Sequence, residues 1–251
     1  MATKIIQREK ERLVFMAEMK ESLANAIRRS ITEIPVLAID EVEIYKNDSA
    51  LYDEIIAHRL GLVPLKMEKG MNMRKDCTCD GKGCAKCTVH LKLVSKGPCI
   101  VHSGDLKGKS EVVHKEMPIT LLRDDQEIEL VAEAVLGKSA EHAKYSPGLV
   151  YYRNVAEIEI KNCDGCGKCA EACPLKLISV DKKAEVHDAW KCDLCEACVE
   201  ACKEDGKEAI SIKPGKELIM FIESWGQMEA REILIESVNA LKEDLKQVEK
   251  A

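Results

Sequence analysis

The alternation of apolar and polar residues predicts that the chain begins with a pair of short strands and a helix. Residues 4–19 alternate and turn near Lys10 and Glu11, which is typical of two strands joined by a tight connection. Residues 20–34 change to the helical period, and Pro35 ends that helix because proline lacks the backbone N–H that would continue it. The apolar stripe of this helix consists of Leu23, Ile27, Ile31 and Ile34.

The middle of the chain is predicted to be mostly strand. The strand at 36–46 is expected to carry Ala38, Val42 and Ile44 on one face and Ile39 and Tyr45 on the other. A short helix over 50–60 is closed by Gly61. Residues 88–160 alternate as strands between turns, and residues 217–225 predict a further strand.

Residues 228–248 predict a long amphipathic helix. Its apolar positions, which step by four, three, four and three, are Leu234, Val238, Leu241, Leu245 and Val248. Such a stripe packs either inside its own chain or against a helix of a partner. The partner is favoured because amphipathic helices lie at opposite ends of the chain, so that both ends build one lobe and the middle is inserted into it. The predicted fold class is α+β, with a mostly β inserted lobe.

Two matching cysteine runs predict iron–sulfur ligation. The chain has 13 cysteines, and in the reducing cytosol their spacing indicates metal binding better than disulfides. The first run is Cys163, Cys166, Cys169 and Cys173, followed by proline, and the second is Cys192, Cys195, Cys198 and Cys202. Both have the spacing of a ferredoxin-type run, although Lys203 follows the second where proline is usual.

The two runs are expected to share their ligands. A loop with ligands three residues apart wraps three corners of a four-iron cube, so the fourth thiolate comes from elsewhere, and in two-cluster ferredoxins it comes from the other run. The expected sets are Cys163, Cys166, Cys169 and Cys202 for the first 4Fe-4S cluster, and Cys192, Cys195, Cys198 and Cys173 for the second. The alternatives are zinc-ribbon ligands and reduced structural thiols. Between and after the runs, LISV and AEVH predict a hairpin and AISI a closing strand.

A third cysteine group predicts a zinc site. Its members, Cys77, Cys79, Cys84 and Cys87, fall within eleven positions among glycines and lysines, which suits one tetrahedral ion with four thiolate ligands. The alternatives are a site that has lost its metal and a site in which His90 replaces one cysteine.

The charge balance argues against direct nucleic-acid binding. The chain has 44 acidic and 38 basic residues, a net charge of −6, and two oxidised four-iron clusters would add about −4. An aromatic content of 4% leaves few side chains for stacking on bases. Charges occur throughout the first twenty residues and no apolar run could span a bilayer, so we expect a cytoplasmic protein without a membrane anchor.

No catalytic residues are predicted in the chain. The segment GDLKGKS, residues 104–110, is one residue short of the phosphate-binding loop pattern and is interpreted as a surface turn. Asp124 and Asp125 are expected in a turn between strands, and His58 and His142 have no nearby nucleophile in the sequence to activate.

Three stretches outside the cysteine runs resemble one protein family. Residues 23–65, 137–152 and 221–228 are similar to the D family of archaeal RNA polymerase subunits, which is related to the third-largest eukaryotic polymerase subunit and to the N-terminal part of the bacterial alpha subunit. Some members of that family carry a ferredoxin-like insert, and this chain resembles one with both cluster sites intact. Tyr145 stands where a tryptophan is frequent in the family.

The resemblance implies a domain plan and a set of partners. A dimerisation lobe like that of the alpha subunit would be built from residues 1–46 and 217–251, an inserted lobe would span 47–160 with the possible zinc loop at 77–87, and the ferredoxin-like domain would span 161–216. The implied partner is subunit L, which forms a heterodimer with members of this family, and subunits N, P and B then join. Nucleic acid would be met only through the assembled polymerase.

The resemblance favours a non-catalytic assembly subunit of DNA-directed RNA polymerase, a nucleotidyltransferase whose active site lies in another chain. Its iron–sulfur clusters would have a structural role. The alternative is an electron-transfer protein or redox-enzyme subunit, which the two cysteine runs alone would favour.

Overall fold

The computed structural model describes residues 3–68, 70–204, 206 and 208–250, so the first two and the last residue of the predicted dimerisation lobe lie outside the described residues. The strands, in chain order, are β1 (Thr3–Arg8), β2 (Arg12–Glu18), β3 (Val36–Asn47), β4 (Thr88–Lys96), β5 (Cys99–His102), β6 (Lys107–Gly108), β7 (Pro118–Leu122), β8 (Glu127–Gly137), β9 (Gly148–Ile160), β10 (Ile178–Val180), β11 (Ala184–Val186) and β12 (Ile210–Ser224). The α-helices are α1 (Glu21–Ser30), α2 (Asp53–Gly61), α3 (Lys168–Ala172), α4 (Ala197–Glu204) and α5 (Ala230–Glu249). The mixed α+β prediction is confirmed.

The first helix is shorter than the sequence pattern predicts. It ends at Ser30, and Ile31–Glu33 form a 3₁₀ turn. The Ser30 hydroxyl donates a hydrogen bond of 2.8 Å to the carbonyl of Ala26, and such back-bonding competes with the helical ladder. Three residues of the predicted stripe, Ile27, Ile31 and Ile34, are buried, whereas Leu23 is 39% exposed.

The chain divides into two compact units. The first comprises the segment up to Gln7 together with Val14–Asn25 and Tyr151–Phe221, and the second comprises Arg8–Leu13, Ala26–Val150 and Ile222 onwards. The first unit contains most of a four-stranded sheet with the order β1-β2-β12-β9. It also contains α3, α4 and the hairpin of β10 and β11, which confirms the hairpin predicted between the cysteine runs. The strands predicted at AISI and at 217–225 are one continuous strand, β12.

The second unit has a conventional apolar core. Its main sheet has the order β3-β8-β4-β6, and β8 pairs antiparallel with both β3 and β4. Along β8, Ile128, Leu130, Ala132 and Ala134 are buried, and three of the positions that alternate with them are glutamates. Glu127 and Glu129 lie 2.6 Å and 2.7 Å from the ammonium groups of Lys96 and Lys92 on β4, so charge pairs cover the face opposite the core. Helix α2 adds the fully buried Ile56 and Leu60.

The predicted division of β3 into two faces is wrong, because the strand contains a bulge. Asp40 is an extra residue between the ladder positions of Ile39 and Glu41. Beyond it the alternation is reversed, so Val42 and Ile44 pack against the same core as Ile39. A second irregularity follows Ile44.

Long-range polar contacts hold this bulge. The Asp40 carboxylate accepts hydrogen bonds from the ammonium of Lys144 at 2.6 Å and from the hydroxyl of the buried Tyr145 at 3.0 Å. These donors lie about a hundred residues away from Asp40 in the sequence. At the second irregularity, Tyr45 is 59% exposed. The strand therefore depends on tertiary contacts that its own pattern does not contain.

The last helix has buried residues only in its first half. Ala230, Ile233 and Ser237 are buried, and α5 packs against the 3₁₀ turn Ile31–Glu33 of the same unit. Towards its end, Leu245 and Val248 are 56% and 73% exposed. None of the helices in the described ranges has the length and apolar character needed to cross a membrane.

Candidate metal centres

The first predicted ligand set lines one cavity. Cys163 and Cys166 lie on the loop after β9, Cys169 lies in α3, and Cys202 comes from the end of α4. The four cysteines line one cavity together with Ala209 and Ile210. The structure thus brings the fourth cysteine from the opposite run, as the crossed sets require.

The second predicted set lines a separate cavity. Cys192, Cys195 and Cys198 lead into α4, and the fourth cysteine, Cys173, follows α3. Apart from Asp193, the other lining residues are apolar and include Ile158 of β9 and Ile212 of β12. These two residues join the cavity to the four-stranded sheet of the same unit.

The thiols of both sets are too far apart for a single metal ion. Among the described residues, one group of cysteine, histidine or acidic side chains has all its ligand atoms within 4.8 Å of one another. This group, called the Cys77 group below, consists of Cys77, Cys79, Cys84 and Cys87, and it includes none of these eight cysteines. A four-iron cube has an iron at each of four corners, so its thiolate ligands stand farther apart than those around one ion. The geometry therefore fits a cube better than the zinc-ribbon alternative.

The two ligand loops, residues 163–169 (first loop) and 192–198 (second loop), have the same backbone hydrogen bond. The Asp164 carboxylate accepts a hydrogen bond of 3.3 Å from the N–H of Cys166, and Asp193 accepts one of the same length from Cys195. Each aspartate closes a turn between two ligands, as aspartate side chains commonly do. The repeated Cys-Asp in CDGC and CDLC was a signal for these turns that spacing alone does not use.

The two loops have different residue types at their left-handed backbone positions. Gly165 and Gly167 have φ angles of 76° and 85°, and the matching positions in the second loop, Leu194 and Glu196, have φ angles of 62° and 59°. A residue with a Cβ in this region costs about 1–2 kcal/mol. The second loop therefore stores backbone strain that the first avoids.

Burial makes thiols in both sets harder to ionise, so thiolate ligands there need a cationic core to balance their charge. Burial and the neighbouring Cys173 and Cys192 raise the pKa of the Cys198 thiol to about 11. Burial, followed by the charges of Cys163 and Cys166, raises the pKa of Cys169. Four thiolates in such a cavity repel one another unless a cationic core lies between them, so the donor sets fit iron–sulfur clusters.

Backbone N–H groups point at two of these sulfurs. The N–H of Leu177 donates to Sγ of Cys173 at 3.4 Å, and the N–H of Ala184 donates to Sγ of Cys163 at 3.4 Å. Such hydrogen bonds stabilise sulfur that carries negative charge. The β10–β11 hairpin and the residue that precedes it therefore support one ligand in each set.

The Cys77 group has the geometry of a single tetrahedral site. The Sγ atoms of Cys77 and Cys84 are 3.6 Å apart, as are those of Cys79 and Cys87, and Cys84 and Cys87 are 3.9 Å apart. Four sulfurs about 2.3 Å from a zinc ion would be about 3.8 Å from one another. A hydrogen bond from the Cys84 N–H lowers the pKa of Cys87 to about 6, which favours the thiolate that a metal needs.

His90 is not part of this group. Its side chain is 64% exposed, and its ring lies 3.9 Å from the Glu133 carboxylate instead. The segment proposed as a surface turn, GDLKGKS, contains the short strand β6, which pairs with β4. Neither feature contributes to a metal centre.

Comparison with known proteins identifies the family. The chain is 35% identical over 237 residues to DNA-directed RNA polymerase subunit Rpo3 of Archaeoglobus fulgidus, with 91% of this chain and 89% of that protein covered. It is 38% identical over 237 residues to the Rpo3 subunit of Methanothermobacter thermautotrophicus, covering 89% and 88% of the two chains. The chain belongs to the Rpo3 family of RNA polymerase subunits. The resemblance to an archaeal polymerase subunit expected from the sequence is thereby confirmed.

Two family models divide this Rpo3-family chain in agreement with its cysteine pattern. Residues 42–150 match the RNA polymerase Rpb3/RpoA insert domain. Residues 156–203 match the 4Fe-4S dicluster domain, and this segment contains all eight cysteines of the two runs. The assignment of individual cysteines to each cluster stays a prediction, which the two cavities support.

A substitution at Gly165 tests whether the backbone shape of the first ligand loop is needed for iron binding. A Cβ at Gly165 would lie 2.8 Å from the carbonyl oxygen of Lys182, and the left-handed φ adds strain. We expect Gly165→Leu to reduce bound iron to at most about half of the wild-type amount, because the first set would lose its geometry. Iron per polypeptide, measured on the purified chain, checks this.

Leu194→Gly is the matched control, because it gives the second loop the residue that the first loop has. It removes a strained left-handed side chain, so full iron content is expected. Wild-type iron in Gly165→Leu would show that the approach to Lys182 does not shape the first site.

Proposed function

We propose that this chain is a non-catalytic assembly subunit of DNA-directed RNA polymerase. The observation that carries the proposal is its similarity to Rpo3 subunits over about nine-tenths of its length. The described residues also give no tight acidic group of the kind that a catalytic magnesium needs, since the Cys77 group is the one compact cluster of potential ligands there. Catalysis then belongs to another chain of the complex.

The proposed cofactors are two 4Fe-4S clusters and one zinc ion. The crossed sets, Cys163, Cys166, Cys169 with Cys202 and Cys192, Cys195, Cys198 with Cys173, would hold the clusters. The Cys77 group would hold zinc. Bound clusters supply cross-links between the two runs, and the surrounding residues orient the thiols and exclude water from the buried ones.

The proposed first partner is the small polymerase subunit L. In the described chain the stripe of α5 is open to solvent at Leu245 and Val248 and half-buried at Leu234, Val238 and Leu241. An apolar stripe of this length on a charged helix is typical of a surface that a partner helix covers. We infer that the lobe formed by residues 1–46 and 217–251 makes this contact.

The later partners would be subunits N, P and B, bound through the regions at 47–160 and 161–216. A net charge of −6 is consistent with nucleic acid being met only in the complete polymerase. A cytoplasmic location follows from this role.

Electron transfer is a second candidate function, and one observation favours it. Cys166 and Cys195 are exposed, so each predicted cluster has one ligand at the surface where an electron could enter or leave. Stable association with a redox enzyme in place of polymerase subunits would favour this candidate.

If the apolar stripe of α5 binds the small partner, positive charges on this stripe should weaken the binding. Leu241→Lys combined with Leu245→Lys places two charges on the stripe, so we expect recovery of the small partner to fall about tenfold or more in co-purification. Asn239→Lys, at an exposed position of the same helix, is the matched control and should retain the partner. Equal recovery with the double variant would exclude this face as the interface.

The proposed role of the clusters predicts an ordered assembly defect. Cys166→Ser with Cys195→Ser is expected to retain the small partner and to lose most of the large subunits, because only the iron–sulfur region loses its cross-links. Cys99→Ser, outside all three groups, is the control. If complete polymerase is recovered from the doubly substituted chain in wild-type amounts, the clusters have no part in assembly.

A further inference from the structure

Arg153, on β9, connects the four-stranded sheet to the second ligand loop. Its guanidinium donates hydrogen bonds to the carbonyl oxygen of Trp190 at 2.7 Å and to the carbonyl oxygen of Cys192. Cys192 is the first cysteine of the second set. We infer that Arg153 is a positioning residue that fixes where the second ligand loop begins and couples the second cluster, and not the first, to the sheet.

The guanidinium is itself held by the packing of the sheet. It lies over the ring of Phe221 on β12, 5.6 Å from the ring centroid, and Phe221 stacks on Tyr151 with a centroid separation of 4.6 Å. Phe221 belongs to an apolar cluster with buried Val14 and Ile219, against which Trp190 also packs. An arginine held over an aromatic ring loses little further freedom when it binds two carbonyls with its planar fork.

The second loop needs such a support more than the first. Its approach includes a left-handed residue, Asp188, before the turn Ala189–Lys191, and two further left-handed residues follow among the ligands. Trp190 is half-buried and Cys192 is buried, and without Arg153 their carbonyls would lose charge-assisted hydrogen bonds. Small shifts of Cys192 would then move one thiolate relative to the other three.

The contacts of Arg153 are specific for one of the two sets. Within the described part of the chain, the hydrogen bonds of its side chain end on Trp190 and Cys192, both at the second loop. The first loop is instead shaped by the close approach of Gly165 to Lys182 of the hairpin. A change at Arg153 should therefore weaken the second cluster selectively, and by linkage an intact second cluster should order β9.

The inference rests on the proposed two-cluster ligation, so the wild-type chain is measured first. About eight iron atoms per polypeptide are expected from two 4Fe-4S clusters. A wild-type chain without iron would contradict the proposed cofactors themselves. With iron present, the behaviour of the Arg153 variants tests the positioning role separately.

The variants are Arg153→Met, which keeps an unbranched side chain over Phe221 but cannot donate, and Arg153→Lys. Release of iron to a chelator is followed in the full chain. We expect about half of the iron in Arg153→Met to be released 10- to 100-fold faster than in the wild type, with the other half unchanged. Arg153→Lys should be intermediate, because one ammonium cannot reproduce the planar fork.

Lys161→Met is the matched control, because Lys161 is an exposed cation beside the first run that pairs with Glu159 at 2.7 Å. It should release iron at the wild-type rate. Equal acceleration of all the iron in Arg153→Met, or no acceleration, would overturn the inference.

Spectroscopy identifies the cluster that is lost. After the fast phase, the electron paramagnetic resonance spectrum of reduced Arg153→Met should match that of Cys195→Ser, which lacks a ligand of the second set. A match to Cys166→Ser would assign the effect to the first cluster and overturn the inference. Amide exchange in residues 151–158 should likewise rise in Cys195→Ser and not in Cys166→Ser, and the reverse order would also contradict it.

Discussion

The cysteine-rich region depends on one constraint, which is that each group of four thiols takes three members from one run and the fourth from the other. In the proposed ligation, neither run completes a ligand set alone. The apolar cluster around them is small, and three of its eight buried members, Cys169, Cys198 and Cys202, are themselves expected ligands. A core of this size cannot stabilise the region without cross-links, so metal binding and folding are expected to be one equilibrium.

The second unit is built on a different principle. Its core contains nineteen buried residues from strands, loops and α2, nearly all of them leucine, isoleucine or valine. The Cys77 group adds a local site at the start of β4, yet the core does not include it. Loss of iron is therefore expected to affect the first unit and to leave the apolar core of the second intact.

The features that sequence analysis predicted correctly are those that depend on local chemistry. The structure brings together the three cysteine groups that their spacing singled out, and the helical period located α5 within two residues at its start. Periodicity failed at β3, because the bulge at Asp40 is held by Lys144 and Tyr145 from a distant part of the chain. The 3₁₀ ending of α1 was missed for a different reason, because the local hydrogen bond of the Ser30 hydroxyl does not alter the apolar period.

At the candidate sites, too, the sequence alone did not reveal every structural feature. Glycines occupy the left-handed positions of the first loop, but Leu194 and Glu196 take the same conformation although their residue types do not indicate it. Arg153 lies in a strand, and nothing in its neighbours indicates that its side chain reaches the second run. Residues that position ligands through tertiary contacts became visible only in the structure.

If iron holds the cysteine-rich region in its fold, removing the metal must open this region to proteases. This can be measured by limited proteolysis of the full chain before and after iron removal, with cut sites mapped by mass spectrometry. We expect iron removal to expose new cut sites within residues 161–209 while residues 88–137 stay protected. An unchanged pattern of cuts after complete removal of iron would contradict the claim.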